Sequence, residues 1–144
     1  MTHRALAIRE ALERRAAVSD AELDQVFPEE LRERSHLHWT PVAIAIRAAE
    51  LLAPASSLRV LDVGAGVGKA CIIGALVTGA MWWGVEQDQV LVACLARDPW
   101  AGWAHGEVLS QGGRGAVVRG YFLLRFCLPT GEDSGLTQCG LLAR

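Results

Sequence analysis

The stretch from Leu58 to Asp88, LRVLDVGAGVGKACIIGALVTGAMWWGVEQD, constrains the fold more than any other part of the chain. An apolar run ends at Asp62-Val63, glycines follow at Gly64, Gly66 and Gly68, an apolar segment continues to Thr78, and a second apolar run ends at Glu86. Read in order, this is strand, glycine loop, helix, strand. Glycine tolerates positive φ and lets a ligand approach the backbone, while the first turn of the following helix offers unpaired N–H groups. Such a unit suits a nucleotide-sized ligand, and a crossover of this length is expected to be right-handed with its two strands parallel.

Spacing separates the nucleotide classes. A dinucleotide fingerprint G-x-G-x-x-G counted from Gly64 needs a third glycine where Lys69 stands, which disfavours NAD. A Walker A loop ending in Gly68-Lys69 needs glycine where Val63 stands and Ser or Thr where Ala70 stands. Without that hydroxyl there is no Mg²⁺ ligand.

The remaining pattern is acid-x-G-x-G-x-G, carried by Asp62, Gly64, Gly66 and Gly68, with a second acid, Glu86, closing the next strand. It resembles the first motif of class I S-adenosylmethionine-dependent methyltransferases, and Gly84-Val85-Glu86-Gln87-Asp88 looks like their second motif. A weaker likeness extends to His38-Trp39-Thr40-Pro41, which is similar to the start of the helix before the first motif in some bacterial members. The resemblance implies an α/β fold, a partial Rossmann-like parallel sheet with flanking helices and an N-terminal helical extension. It implies a transferase that binds S-adenosyl-L-methionine and passes its methyl group to an unidentified acceptor.

The same resemblance implies roles for individual residues. Gly64, Ala65 and Gly66 would carry the turn under the methionine part of the cofactor, and Asp62 would bond to its amino group directly or through water. Glu86 would take both ribose hydroxyls, because a carboxylate accepts two hydrogen bonds from a vicinal diol. Gln87 and Asp88 would reach the adenine edge. Gly68 reads as a close-packing glycine between helix and strand. Lys69 departs from the small or apolar residue usual there and is expected to point to solvent. Trp39 and Thr40 are candidates for the pocket wall, with helix capping and packing as their plainer roles. No catalytic residue is identified: methyl transfer by in-line attack rests mainly on proximity and orientation, and His105 and Tyr121, late candidates for a base, read as structural.

The net charge of −2 is spread evenly along the 144 residues, without a basic stripe to capture nucleic acid, so the acceptor is expected to be a small molecule or a protein. Cys71, Cys94, Cys127 and Cys139 lie far apart, which speaks against a disulfide framework or a zinc site, and the charged N-terminus is unlike a secretion signal. The weakly charged run Ala70 to Val85 is interrupted by Gly74, Gly79 and Gly84 and is too short to span a membrane. A cytoplasmic location is the expectation.

Three regions follow. Residues 1–55 form an N-terminal helical segment: a helix over 5–17 with Leu6, Ile8, Leu12 and Ala16 on one face, a capping box at Ser19 and Glu22, a turn over 29–34, and a helix from Thr40-Pro41 through Leu52 with Ile44, Ala48, Leu51 and Leu52 facing the sheet. His36 and His38 lack a third ligand at a useful spacing, so no metal is expected. Residues 56–98 form the β-α-β core, with a first strand over 58–63 buried on both faces, Gly79 as the helix C-cap, and a further helix over 90–97. Residues 99–144 hold nine of the 15 glycines, one candidate strand within 116–128, and no acceptor-side motif. That last observation motivates an alternative of another class, a non-catalytic remnant or interaction module retaining a partial Rossmann-like unit.

Overall fold

The computed structural model describes residues 3–33, 39–88 and 90–91, and the backbone of 122–126. The elements are α1 (His3–Glu13), α2 (Asp20–Asp24), α3 (Glu29–Arg32), α4 (Val42–Leu52), β1 (Arg59–Val63), α5 (Lys69–Thr78), β2 (Met81–Glu86) and β3 (Phe122–Phe126). The expected metal-poor pair His36 and His38, the late base candidates His105 and Tyr121, and the helix beyond Leu91 lie outside the described residues.

Local signals set most of the boundaries. The Glu22 N–H donates to Ser19 Oγ at 3.2 Å while the Ser19 N–H donates to Glu22 Oε2 at 2.8 Å, and this reciprocal capping box starts α2. Helix α5 covers the span read from the sequence and stops at Gly79, whose φ of 68° lets its N–H turn back to Ala75 O at 2.9 Å. The start of α4 differs from expectation. Pro41, not Thr40, is the N-cap and gives no side-chain hydrogen bond; the Val42 N–H is instead taken by Asp20 Oδ1 at 2.9 Å, from α2. A proline cap leaves the orphan N–H groups of the first turn to be satisfied from elsewhere in the fold.

β1 and β2 pair in parallel, from Arg59 opposite Met81 to Val63 opposite Val85, as the crossover requires. β3 lies on the other side of β2 and runs antiparallel, with Phe122 opposite Glu86 and Phe126 opposite Trp82. The described sheet is therefore mixed rather than all-parallel: a strand that begins beside the carboxyl end of β2 can only run back along it. The fold class is mixed α/β, with β1 and β2 as its parallel pair.

The core corrects two expectations about faces. Helix α5 is apolar around its whole circumference, and every residue from Cys71 to Val77 is buried, against β2 on one side and α4 and α1 on others. Helix α4 meets it through Val42, Ala45 and Ala49, small side chains that permit close approach; Ile44 and Leu51 are exposed, while Ala48 and the exposed Leu52 border β1, lining a pocket with Val60 and Asp62. β1 is likewise not buried on both faces. Leu61 is 58% and Val63 72% exposed, because among the described residues the helices cover only the face that carries Val60 and Asp62. On α1 the buried stripe is Ala5, Ile8 and Leu12, while Leu6 is exposed; the helix ends at Glu13, short of the expected span to 17, so Ala16 lies beyond it and is exposed.

Contact between α5 and β2 is closest at Gly74 and Trp82. The buried Trp82 ring covers Gly74 so tightly that a Cβ there would overlap it, and Thr78 Oγ1 accepts from Trp82 Nε1 at 3.4 Å while donating to Gly74 O at 2.6 Å. Alanine at this position gains helix propensity but overpacks the core. Gly74→Ala is expected to lower unfolding stability by about 1–3 kcal/mol, measured by urea denaturation; a variant as stable as the parent would show that the ring yields.

Candidate functional site

The loop between β1 and α5 takes its shape from backbone conformations that other residues rarely adopt. Gly64, Gly66 and Gly68 have φ of 85°, 57° and 70°, all in the region that favours glycine. The entry is fixed by the N–H groups of Gly64 and Ala65, which donate to Val85 O at 2.8 and 3.0 Å, and the exit by the Gly68 N–H on Ala65 O at 2.8 Å. Open space lies where a Cβ would stand at Gly64 and Gly66, so a ligand can approach the backbone there. Gly68 is the buried N-cap of α5 in a left-handed conformation.

Glu86 ends β2 beside this loop and is buried. Its Oε2 accepts the Gly66 N–H at 2.7 Å, and its Oε1 accepts the N–H groups of Gln87 and Asp88 at 2.7 and 2.8 Å. The carboxylate thus clasps the loop and the following turn with three backbone donors. Its acceptor capacity is largely used, so a diol would have to take the place of some of these N–H groups. The side chains of Gln87 and Asp88 are exposed, and Asp88 Oδ1 accepts the Val90 N–H at 2.8 Å, a helix-capping contact.

Asp62 lies on the neighbouring strand, on the face that α5 covers. Cys71 donates through its thiol toward Asp62 Oδ2 at 3.7 Å and lies equally close to Trp83 O. Burial raises the Asp62 carboxyl above its usual range and the Glu86 charge adds to this, while the Cys71 S–H works the other way. Burial and the Asp62 charge together push the Cys71 thiol well above the ordinary range, so Cys71 serves as a donor and not as a nucleophile. Asp62 and Thr40 share a small pocket of about 190 Å³ with Ala45, Leu52, Val60 and Ala70. Ligand clefts usually run from about 300 Å³ upward, so this pocket holds part of a nucleoside ligand at most. A groove of about 600 Å³ beside α1, lined by Arg4, Ile8, Val18 and Glu22 among others, contains none of the candidate residues and carries no chemistry of its own.

Lys69 is the residue that sequence reasoning misplaced. It does not point to solvent; it is 3% exposed, and its ammonium donates to Asp20 Oδ1 at 2.6 Å and Asp24 Oδ1 at 3.0 Å. Trp39 lies 5.6 Å from the same ammonium by its ring centre and 4.6 Å from the ring of Phe27, so it packs here rather than beside Asp62. Burial opposes the charged form of Asp20, but Lys69 and the Val42 N–H outweigh it and hold that carboxyl below its usual range. A spacing signal existed for this cluster: Asp20 and Asp24 stand one helical turn apart and share a face.

The structure therefore brings Asp62, Gly64, Ala65, Gly66, Glu86 and Gln87 together at the carboxyl ends of two adjacent parallel strands, where α/β sheets bind ligands. Among the described residues no group of His, Cys, Asp and Glu is arranged to hold a metal ion, and no helix is long and apolar enough to cross a membrane. Compared with known proteins, the chain matches no family model, no curated protein and no solved structure.

Asp62 supplies a test of the electrostatics. Its folded-state pKa lies above the unfolded value, so its charge disfavours folding; that cost is absent below the unfolded pKa and grows as pH rises through the folded one. Asp62→Asn is expected to be more stable than the parent at pH 7, with the gain shrinking as pH falls to about 4. Urea melts at both pH values check this, and a loss of stability at pH 7 would contradict it.

Proposed function

We infer that the loop at Gly64, Ala65 and Gly66, with Asp62 and Glu86, is the S-adenosyl-L-methionine site of a class I methyltransferase-like protein, half of a Rossmann-like unit. The observation that carries this reading is the Glu86 carboxylate held at the loop, 2.7 Å from the Gly66 N–H, at the end of the strand parallel to the one that ends in Asp62 and Val63. A carboxylate in that position meets the ribose of any nucleoside laid across the glycines, and exchange of its backbone donors for two hydroxyls keeps its charge satisfied. Asp62, half-buried and one strand away, supports binding of a cationic amino group by opposite charge.

The chemistry such a donor supplies is transfer of its methyl carbon: the acceptor's lone pair forms the new bond as the carbon–sulfur bond breaks, leaving a neutral thioether. The protein's part is to hold donor and acceptor in line. The acceptor, a small molecule or a protein, is not specified by any described residue.

A non-catalytic module is the second reading, and one observation favours it: β3 runs antiparallel to β2, away from the parallel sheet that the methyltransferase resemblance implies. Both readings keep the cradle but differ in turnover.

Isothermal titration of the protein with S-adenosylhomocysteine is expected to show saturable one-to-one binding. Glu86→Ala, which removes charged hydrogen-bond acceptors, is expected to weaken it by about 10–100-fold. No heat of binding with folded parent protein would overturn the reading. Binding of NAD with equal or greater affinity would replace it with a dinucleotide site.

A further inference from the structure

We propose that Lys69 is a positioning residue: clamped by Asp20 and Asp24, it locks the N-terminal helices to the exit of the glycine loop and so sets the loop's affinity for its ligand. The proposal rests on the nucleoside-site reading for its effect on affinity, but the lock itself is independent of any ligand.

A lysine with 3% exposure in a helix whose other buried residues are all apolar or glycine needs an explanation. An apolar side chain would bury the same stem without requiring a partner, whereas an ammonium at this depth demands carboxylates with good geometry. They come from far away in sequence: Asp20 and Asp24 lie 49 and 45 residues earlier, on α2. Lys69 is the first residue of α5 and directly follows the last glycine, so its side chain is the tie nearest the loop's exit.

Asp20 joins a third element to this point. The same Oδ1 that accepts from Lys69 at 2.6 Å accepts the Val42 N–H at 2.9 Å, and so satisfies the start of α4, which has no side-chain cap of its own. One oxygen atom therefore fixes α2, the start of α4 and the start of α5 relative to one another. Trp39 lies over the ammonium and packs in turn against Phe27. The entry of the loop is held separately, by Val85 O of β2. With the Lys69 clamp intact both ends of the loop are fixed and Gly66 stays in register with Glu86; with it removed, the exit loses its one charged tie and is held by the Gly68 N–H on Ala65 O, the Gly66 N–H on Glu86 and the packing of α5. A loop that spends less of its time in the competent shape binds with an affinity reduced by that fraction.

The test compares the full-length parent with Lys69→Met, Asp24→Asn and the combination of Lys69→Met with Asp20→Asn, each checked for folding by far-UV circular dichroism. Lys69→Met is expected to weaken S-adenosylhomocysteine binding by about tenfold, and adding Asp20→Asn to that background is expected to change it by less than about twofold, since both changes break one clamp. In the ligand-free protein, amide exchange at Gly66 and Gly68 is expected to accelerate by about tenfold in Lys69→Met while Trp82 and Val85 in β2 change by less than about twofold. A purely structural lysine would lower the melting temperature and raise exchange at all these sites together, with affinity unchanged in the folded protein, and that result would overturn the proposal. If Lys69→Met does not fold, Asp24→Asn, which keeps the Asp20 contact, is expected to give the same local pattern at about threefold in exchange and affinity; uniform exchange there would overturn it. Should the parent itself fail to bind the nucleoside, the reading of the site fails, and the exchange pattern alone decides the lock.

Discussion

Helix α5 has no polar face, and the rest of the structure is arranged by that constraint. A helix buried around its circumference is stable only when other elements wrap it. β2 covers one side through Trp82 over Gly74, α4 another through Val42, Ala45 and Ala49, and α1 contributes Ile8 and Leu12 to the same cluster of buried residues. The N-terminal helices are thus part of the core that supports the glycine loop. Their charged residues have a matching task, because the single cation buried in α5 meets its counter-ions on α2.

Electrostatics at the loop follows from this burial. Two carboxylates sit at the ends of adjacent strands and are treated differently by their surroundings. Glu86 is satisfied by three backbone N–H donors, whereas Asp62 has a thiol for a partner and the like charge of Glu86 nearby. Sites that bind cations or polar ligands commonly carry this kind of stored disadvantage, and a ligand that brings a positive charge to Asp62 and hydroxyls to Glu86 relieves it. The thiol of Cys71 stays protonated under the same influence, which keeps it a hydrogen-bond donor.

Sequence made the crossover unit legible because its signals are local. Glycine at 64 and 66 was read as turning the loop and glycine at 79 as a helix cap, and each has positive φ; Gly68, read as a packing glycine, has it as well. The capping box at Ser19 and Glu22 and the span of α5 were equally readable, since both depend on residues within one or two turns. What escaped were the features decided by contacts distant in sequence. Lys69 looked like a solvated charge until Asp20 and Asp24 came within reach, and the start of α4 looked self-capped until Asp20 supplied the acceptor. The face of α4 was misjudged in part for a related reason: hydrophobicity placed Ile44 and Leu51 inward with Leu52, but packing on α5 selected the smaller Ala45 and Ala49, which allow the two helices to approach, and only Ala48 and Leu52 border the sheet. The direction of β3 has no local signature at all, because a strand's sequence pattern does not encode which way its partner runs.

The central claim is that Glu86 and the glycines it clasps form one nucleoside site. Amide chemical shifts recorded while S-adenosylhomocysteine is added test it residue by residue. The N–H groups of Gly66, Gln87 and Asp88, which donate to Glu86 in the free protein, should move furthest and together as the ribose hydroxyls take over the carboxylate. Saturable shifts confined to the groove beside α1, or no shift at Gly66 while the protein is folded, would contradict the account.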